Sequence, residues 1–292
     1  MVVSTLIRPR SNHVNIDGDV IVYAAGFAAQ TNEYWVNKDV FDSKKDAVTF
    51  CERYAIDIEE IEVRIIAEPV EYCLSTVKRM TAGIVEKAGA ETYNIILSGK
   101  DNFRVKTATI QPYKGQRTAA KPIHFDAIRN YITTVLNCIT TVGEEADDYL
   151  SYRAVSHNET IATVDKDLNN TEGWHLNWNK DGMYYVDART ADQNFWVQML
   201  TGDSTDNIAG IFKLTGTKAS AGMKQEVQSC ATYKEMRQCV IETYQRCFEK
   251  LANKMGVDHL PDDELYAMLS EIGQLLWMRR EPDEMWSIDY GC

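Results

Sequence analysis

Val14-Asn15-Ile16-Asp17-Gly18-Asp19 reads as a short strand that ends on an acid and a tight turn. The same arrangement recurs along the chain. Residues 93–97 form an apolar run that leads to Asp101, and 160–164 a run that ends at Asp165 with Asp167 two places on. A strand over 138–142 is followed by a helix from residue 144 that carries Glu145, Asp147 and Asp148. A helix over 194–200 runs into Gly202-Asp203, with Asp206 close behind. Helical spacing is expected over 20–30, 44–54 (capped by Ser43), 69–87 and 124–137. Hairpins are expected over 34–41 and 174–186, and a further strand over 61–67. Strands alternating with helices predict an α/β fold, a largely parallel central sheet flanked by helices. Ligands of such sheets bind outside the carboxyl ends of the strands, and that is where the acids fall.

Beyond residue 200 the pattern turns mostly helical, and 264–280 reads as an amphipathic helix closing against the core. The expected organisation is a core over residues 1–199 and a second part over 200–292. No run approaches the roughly 20 apolar residues of a membrane span, and residues 1–10 lack the apolar core of a signal peptide. An intracellular, cytoplasmic protein is expected. Seven Cys without a Cys-x-x-Cys pair argue against a zinc ribbon or a disulfide framework. The formal net charge of −12 argues against a nucleic-acid binder at face value. That objection weakens if the acids are gathered at one cation site, because basic patches elsewhere are then free to hold a phosphate backbone.

Each motif alone has an ordinary reading. Acids at a helix start complement the macrodipole, and Asp165-Lys166-Asp167 could be an exposed turn. Together they suit Mg²⁺, which takes hard oxygen ligands. Two such ions can stabilise both the attacking and the leaving oxygen of a phosphodiester. The glycine-bounded turn Thr201-Gly202-Asp203 through Gly210 and Gly216, with Lys213 and Lys218, suits a phosphate backbone. Phe103-Arg104 and Tyr113-Lys114-Gly115-Gln116-Arg117 place cations beside aromatics, as a nucleic-acid strand requires.

In this order the motifs resemble the 5′→3′ exonuclease and flap endonuclease family, most of all the compact exonucleases of tailed phages, over residues 12–220. The resemblance implies a PIN/FEN-like fold with a helix–three-turn–helix DNA-binding motif entered at Gly202-Asp203. It implies a two-metal phosphodiesterase acting on DNA from free 5′ ends or flaps, with RNA/DNA hybrid a further candidate, in a replication setting (the host cytoplasm for a phage-encoded chain). One ion, Mg²⁺ or Mn²⁺, would be held by Asp17, Glu145 and Asp147. The other would be held by Asp148, Asp165, Asp167 and Asp206, with Asp203 close by. Lys114 would polarise the scissile phosphate and Arg117 grip the strand. Arg104, Lys213 and Lys218 would bind DNA, with K⁺ in the turn; a monomer is expected. Where the family carries an acid directly after the strand ending at Leu97, this chain has Ser98, with Asp101 three places later.

The alternative is a haloacid-dehalogenase-type Mg²⁺-dependent phosphatase. Asp17 would be its nucleophile, Asp19 its acid, Ser98 its phosphate ligand, Lys166 its cation, and Asp203 and Asp206 its metal acids. That reading leaves Glu145, Asp147 and the Tyr113–Arg117 motif without a role.

Overall fold

The computed structural model describes residues 7–180 and 182–289. The reading of residues 1–10 as lacking a leader lies largely outside them. In chain order the elements begin with β1 (His13–Asp17), α1 (Gly18–Ala28), β2 (Gln30–Val36), β3 (Asp39–Phe41), α2 (Lys44–Tyr54) and β4 (Glu62–Ala67). There follow α3 (Val70–Ala88), β5 (Thr92–Leu97), α4 (Phe103–Thr107), α5 (Phe125–Val135), β6 (Cys138–Thr140), α6 (Ala146–His157) and β7 (Thr160–Ala162). The chain continues through β8 (Gly173–Leu176), β9 (Met183–Val186), α7 (Ala188–Thr201), α8 (Ile211–Thr215), α9 (Ala221–Ser229), α10 (Tyr233–Met255) and α11 (Asp262–Leu276). Two units are formed. One comprises the chain up to Asp17, Ile84–Ala119 and Cys138 onward; the other comprises Gly18–Gly83 and Ala120–Asn137.

The first unit is built on a sheet of strand order β6-β5-β1-β7-β8-β9. All pairings are parallel except β8 with β9, which closes the expected hairpin. Val14 and Ile16 of β1 and Ile95, Ile96 and Leu97 of β5 are fully buried, as central strands covered on both faces must be. Asp17 lies opposite Ile96, Ile16 opposite Ala162, and Leu97 opposite Thr140. This register brings the carboxyl ends of β6, β5, β1 and β7 to one edge, and β1 lies between β5 and β7 where the topology switches sides. Leu150 and Ala154 of α6 pack on Ile96 and Ile161.

The helical part of this unit closes around Phe195, Trp196, Met199, Tyr244, Leu269, Trp277 and Trp286. Gly273 of α11 leaves the space that the Trp286 ring fills, since a Cβ there would overlap the ring. The α10 helix starts on a capping box of Thr232 and Glu235 and stops at Gly256 in the left-handed region.

In the other unit β3, β2 and β4 form a separate antiparallel sheet. These strands do not extend the parallel sheet, for two reasons. A turn as short as that between β2 and β3, with Asn37 at φ +57°, can only join antiparallel strands. Moreover β4 is exposed along nearly its whole length, unlike a strand covered on both faces. The α1 and α5 helices belong to this unit, and Asp19 in the first turn of α1 pairs with Arg129 of α5 at 2.8 Å.

Candidate active site

The acids gather at the shared strand edge of the first unit. Asp17 ends β1, is 4% exposed, and accepts a 2.8 Å hydrogen bond from Thr163 Oγ1 just beyond β7. Glu145 is the N-cap of α6 and Asp147 lies in its first turn. Asp165 and Asp167 follow β7, but not as an extended pair sharing a face: Asp165 Oδ1 accepts from the Asp167 N–H at 2.9 Å, and the chain curls into a short 3₁₀ turn. Asp203 and Asp206 come from the turn after α7. A cleft of about 730 Å³ is walled by Asp147, Asp165, Asp167, Asp203 and Asp206, with Lys114 across from them.

The electrostatics record how tightly these groups are crowded. The Asp147 carboxyl is held well above the usual range, by burial first and then by the charges of Asp17, Glu145 and Asp165. Asp167 is pushed up to about 7 by burial, by the hydrogen bond it shares with Asp203, and by the nearby Asp165 charge. Burial alone would raise Asp203 too, but hydrogen bonds from Asp167 and from the Asp206 and Thr205 N–H groups hold it below its usual range. The donors are all hard oxygens, and a cation would relieve their repulsion, so the set suits a divalent metal in kind. As the side chains stand, no three His, Cys, Asp or Glu groups among the described residues are close enough to clasp a single ion. Binding would require the carboxylates to draw in.

The basic loop is docked onto the acidic turn through its backbone. The Lys114 N–H donates to the Asp206 carbonyl at 2.8 Å, and Asn207 Nδ2 donates to the Pro112 carbonyl at 2.9 Å. Lys114 itself has φ +55°. Its Nζ lies 2.5 Å from Glu145 Oε1 and 3.6 Å from Asp206 Oδ2. Burial would lower this ammonium, but Glu145 and Asp206 outweigh it and hold it above its ordinary value. It therefore stays charged. The Tyr113 hydroxyl lies 2.8 Å from both Glu145 Oε2 and Asp206 Oδ2 and its single proton serves one of the two, while Arg117, half exposed, donates to Asp206 at 2.6 Å.

Two expectations are corrected by burial. Arg104 was expected on the DNA, but it is 1% exposed and pairs with both oxygens of Asp148 at 2.5 and 2.8 Å. It cannot reach a strand. Asp148 was expected on a metal, but it is fully buried and also accepts from the Glu145 and Arg279 N–H groups. Its oxygens hold the start of α6 in place instead. Ser98, just beyond the end of β5, accepts from the Ala146 N–H at 2.9 Å and so serves the first turn of α6. Asp101 is exposed, sits at φ +64°, and is not part of the cleft wall. Lys213 and Lys218 are exposed around α8 and do not line the cleft. The cleft is also lined by Lys166 and by Lys224 of α9. Nothing in the local sequence marks Lys224, whose place there is decided by the packing of α9.

No protein-family model and no curated protein matches the chain. Solved structures do. Bacteriophage T5 flap endonuclease in a pseudo-enzyme-product complex with DNA and metal ions is 15% identical; the match covers 90% of this chain and 98% of that one, with TM-score 0.43. T5 5′-exonuclease with bound zinc is 15% identical over 90% and 99%, TM-score 0.41. The catalytic core of Rad2 in complex with DNA substrate is 12% identical over 96% and 85%, TM-score 0.43. This chain is similar to solved 5′-nucleases.

Proposed function

We propose that the protein is a divalent-metal-dependent 5′ nuclease that hydrolyses phosphodiesters of DNA at free 5′ ends or flaps. The observation that carries this reading is the meeting, in one cleft, of carboxylates from separate stretches of the chain with a charged Lys114 and an exposed Arg117. Asp17, Glu145 and Asp147 would hold one Mg²⁺ or Mn²⁺, and Asp165, Asp167, Asp203 and Asp206 a second. When bound, the ions would supply an activated water and charge stabilisation at the phosphate. Lys114 would place its ammonium on the developing phosphoryl charge. Arg117 would exchange its bond to Asp206 for a phosphate oxygen. Asp148 and Arg104 would keep the start of α6, and hence Glu145 and Asp147, in position. Residues 200–292 would hold the duplex through the turn from Gly202 to Lys218, with K⁺ as its ion.

The phosphatase alternative is not favoured: it gives Glu145 and Asp147 no task, and Ser98 Oγ already serves the Ala146 N–H. The deciding experiment is a duplex with a 5′ flap, labelled separately at each end, incubated with Mg²⁺ and with EDTA. Metal-dependent release of mono- or short oligonucleotides from the 5′ end is expected; release of a terminal phosphate alone would overturn the nuclease reading. In the same assay Lys114→Ala should slow the single-turnover rate by about tenfold or more. A loss of affinity with an unchanged rate would reduce Lys114 to a grip on the backbone.

A further inference from the structure

A second cavity, of about 750 Å³, opens beside the acidic cleft and shares Asp165, Lys166, Asn169 and Asn194 with it as a common wall. Its far side is the β8–β9 hairpin, through Asn177, Lys180 and Tyr184. The volume lies in the range of small-ligand sites. Its lining differs in kind from the acidic cleft: side-chain amides, two lysines and two tyrosines, Tyr184 and Tyr185, with Asp165 at the shared wall.

The Tyr184 ring is held ready. It is 40% exposed, and its hydroxyl donates to Asn169 Oδ1 at 2.8 Å. It stacks on the buried His175, with ring centroids 5.4 Å apart and planes inclined by 18°. Burial pushes His175 down to about 4, so the supporting ring is neutral near pH 7. Neither Lys166 nor Lys180 forms a close ion pair among the described residues, and Lys166 also lies in the attraction of Asp167 and Asp203. An exposed aromatic face beside lysines is what a single nucleic-acid strand recognises, by stacking and by backbone charge. Asn169 and Asn177 keep their Nδ2 donors and Asn194 its Oδ1 acceptor for base edges, their other amide atoms being held within the protein.

We infer that this cavity is a nucleotide subsite: it takes the DNA strand that leaves the acidic cleft, one base lying on Tyr184 and its phosphate held by Lys166 and Lys180. The inference rests on the nuclease reading for the identity of the strand.

The test uses a single-stranded DNA oligonucleotide in EDTA, so that no cleavage intervenes, with binding followed by fluorescence anisotropy. Tyr184→Leu should weaken binding by about fivefold or more. Lys180 is exposed and outside the core, so Lys180→Ala should keep the fold; it should weaken binding and reduce the slope of log affinity against log salt by about 0.7. Affinities and salt slopes equal to wild type in both variants would overturn the subsite. Wild-type cleavage in Mg²⁺ is scored in parallel. Cleavage with unaltered variant binding overturns the subsite and leaves the nuclease standing. Variant-sensitive binding without cleavage supports the subsite and overturns the nuclease.

Discussion

Arg104 donates to both oxygens of Asp148 and to the carbonyls of Leu275 and Trp277, so it ties the start of α6 to the end of α11. Breaking a buried pair by removing one partner strands the other charge. Arg104→Met should therefore cost about 3–5 kcal/mol of stability in urea unfolding, and the double variant Arg104→Met/Asp148→Leu should recover only the part due to the stranded charge, because the Glu145 and Arg279 N–H groups then lose their acceptor. His175 makes a second, separate prediction. Its folded value of about 4 lies below the ordinary 6.5, so the unfolded chain takes up a proton first as the pH falls. Stability from this group is complete above pH 6.5 and is lost as the pH drops towards 4, by about 3 kcal/mol. Urea unfolding at pH 7 and pH 4.5 should show the drop in wild type and a smaller one in His175→Gln. At this scale residue type was legible and direction was not. Phe103-Arg104 reads as a basic patch, but Arg104 is buried by carbonyls 171 and 173 positions away, which no local window contains.

The turn between α7 and α8 is decided by two glycines that cross. Gly202 adopts φ +65°, ψ −169°, a region that only glycine occupies readily. A Cβ on Gly202 would overlap the Gly210 nitrogen and the Ile208 carbonyl, and one on Gly210 would overlap the Thr201 carbonyl. This close approach lets Asp203 and Ile208 exchange backbone bonds at 3.0 and 2.7 Å, which presents Asp203 and Asp206 to the cleft. Gly210→Ala should cost at least about 2 kcal/mol, because backbone rather than a side chain must move; urea midpoints would show it. The parallel strands and the helices of the α/β part were readable because apolar runs and caps such as Ser43 are local signals. The separate placement of β2, β3 and β4 was not, because a strand's partner is chosen by what covers its faces. The long helix α10 is bounded by local signals too, Thr232 and Glu235 at its start and Gly256 at its end.

The carboxylates of Asp17, Glu145, Asp147, Asp165, Asp167, Asp203 and Asp206 meet at one strand edge, where cations of the same chain offset only part of their charge. A cation that binds the folded chain there and not the unfolded one stabilises it by mass action, by about 2.7 kcal/mol at a hundredfold excess over Kd. Mg²⁺ should therefore raise the melting temperature by several degrees in a thermal scan, EDTA should reverse the gain, and Asp147→Asn should lose most of it. The sequence by itself determined the alternation of strands and helices, the edge to which the acids belong, and the chemistry those acids suit, because periodicity and residue type are written locally. Only the tertiary structure decided that Asp148 and Arg104 face each other in the interior, that Lys114 faces Glu145 and Asp206, and that Tyr184 stands over His175 beside the cleft. Those outcomes depend on packing between residues far apart in the chain, where the energy of burial, and not local propensity, chooses the direction of a side chain.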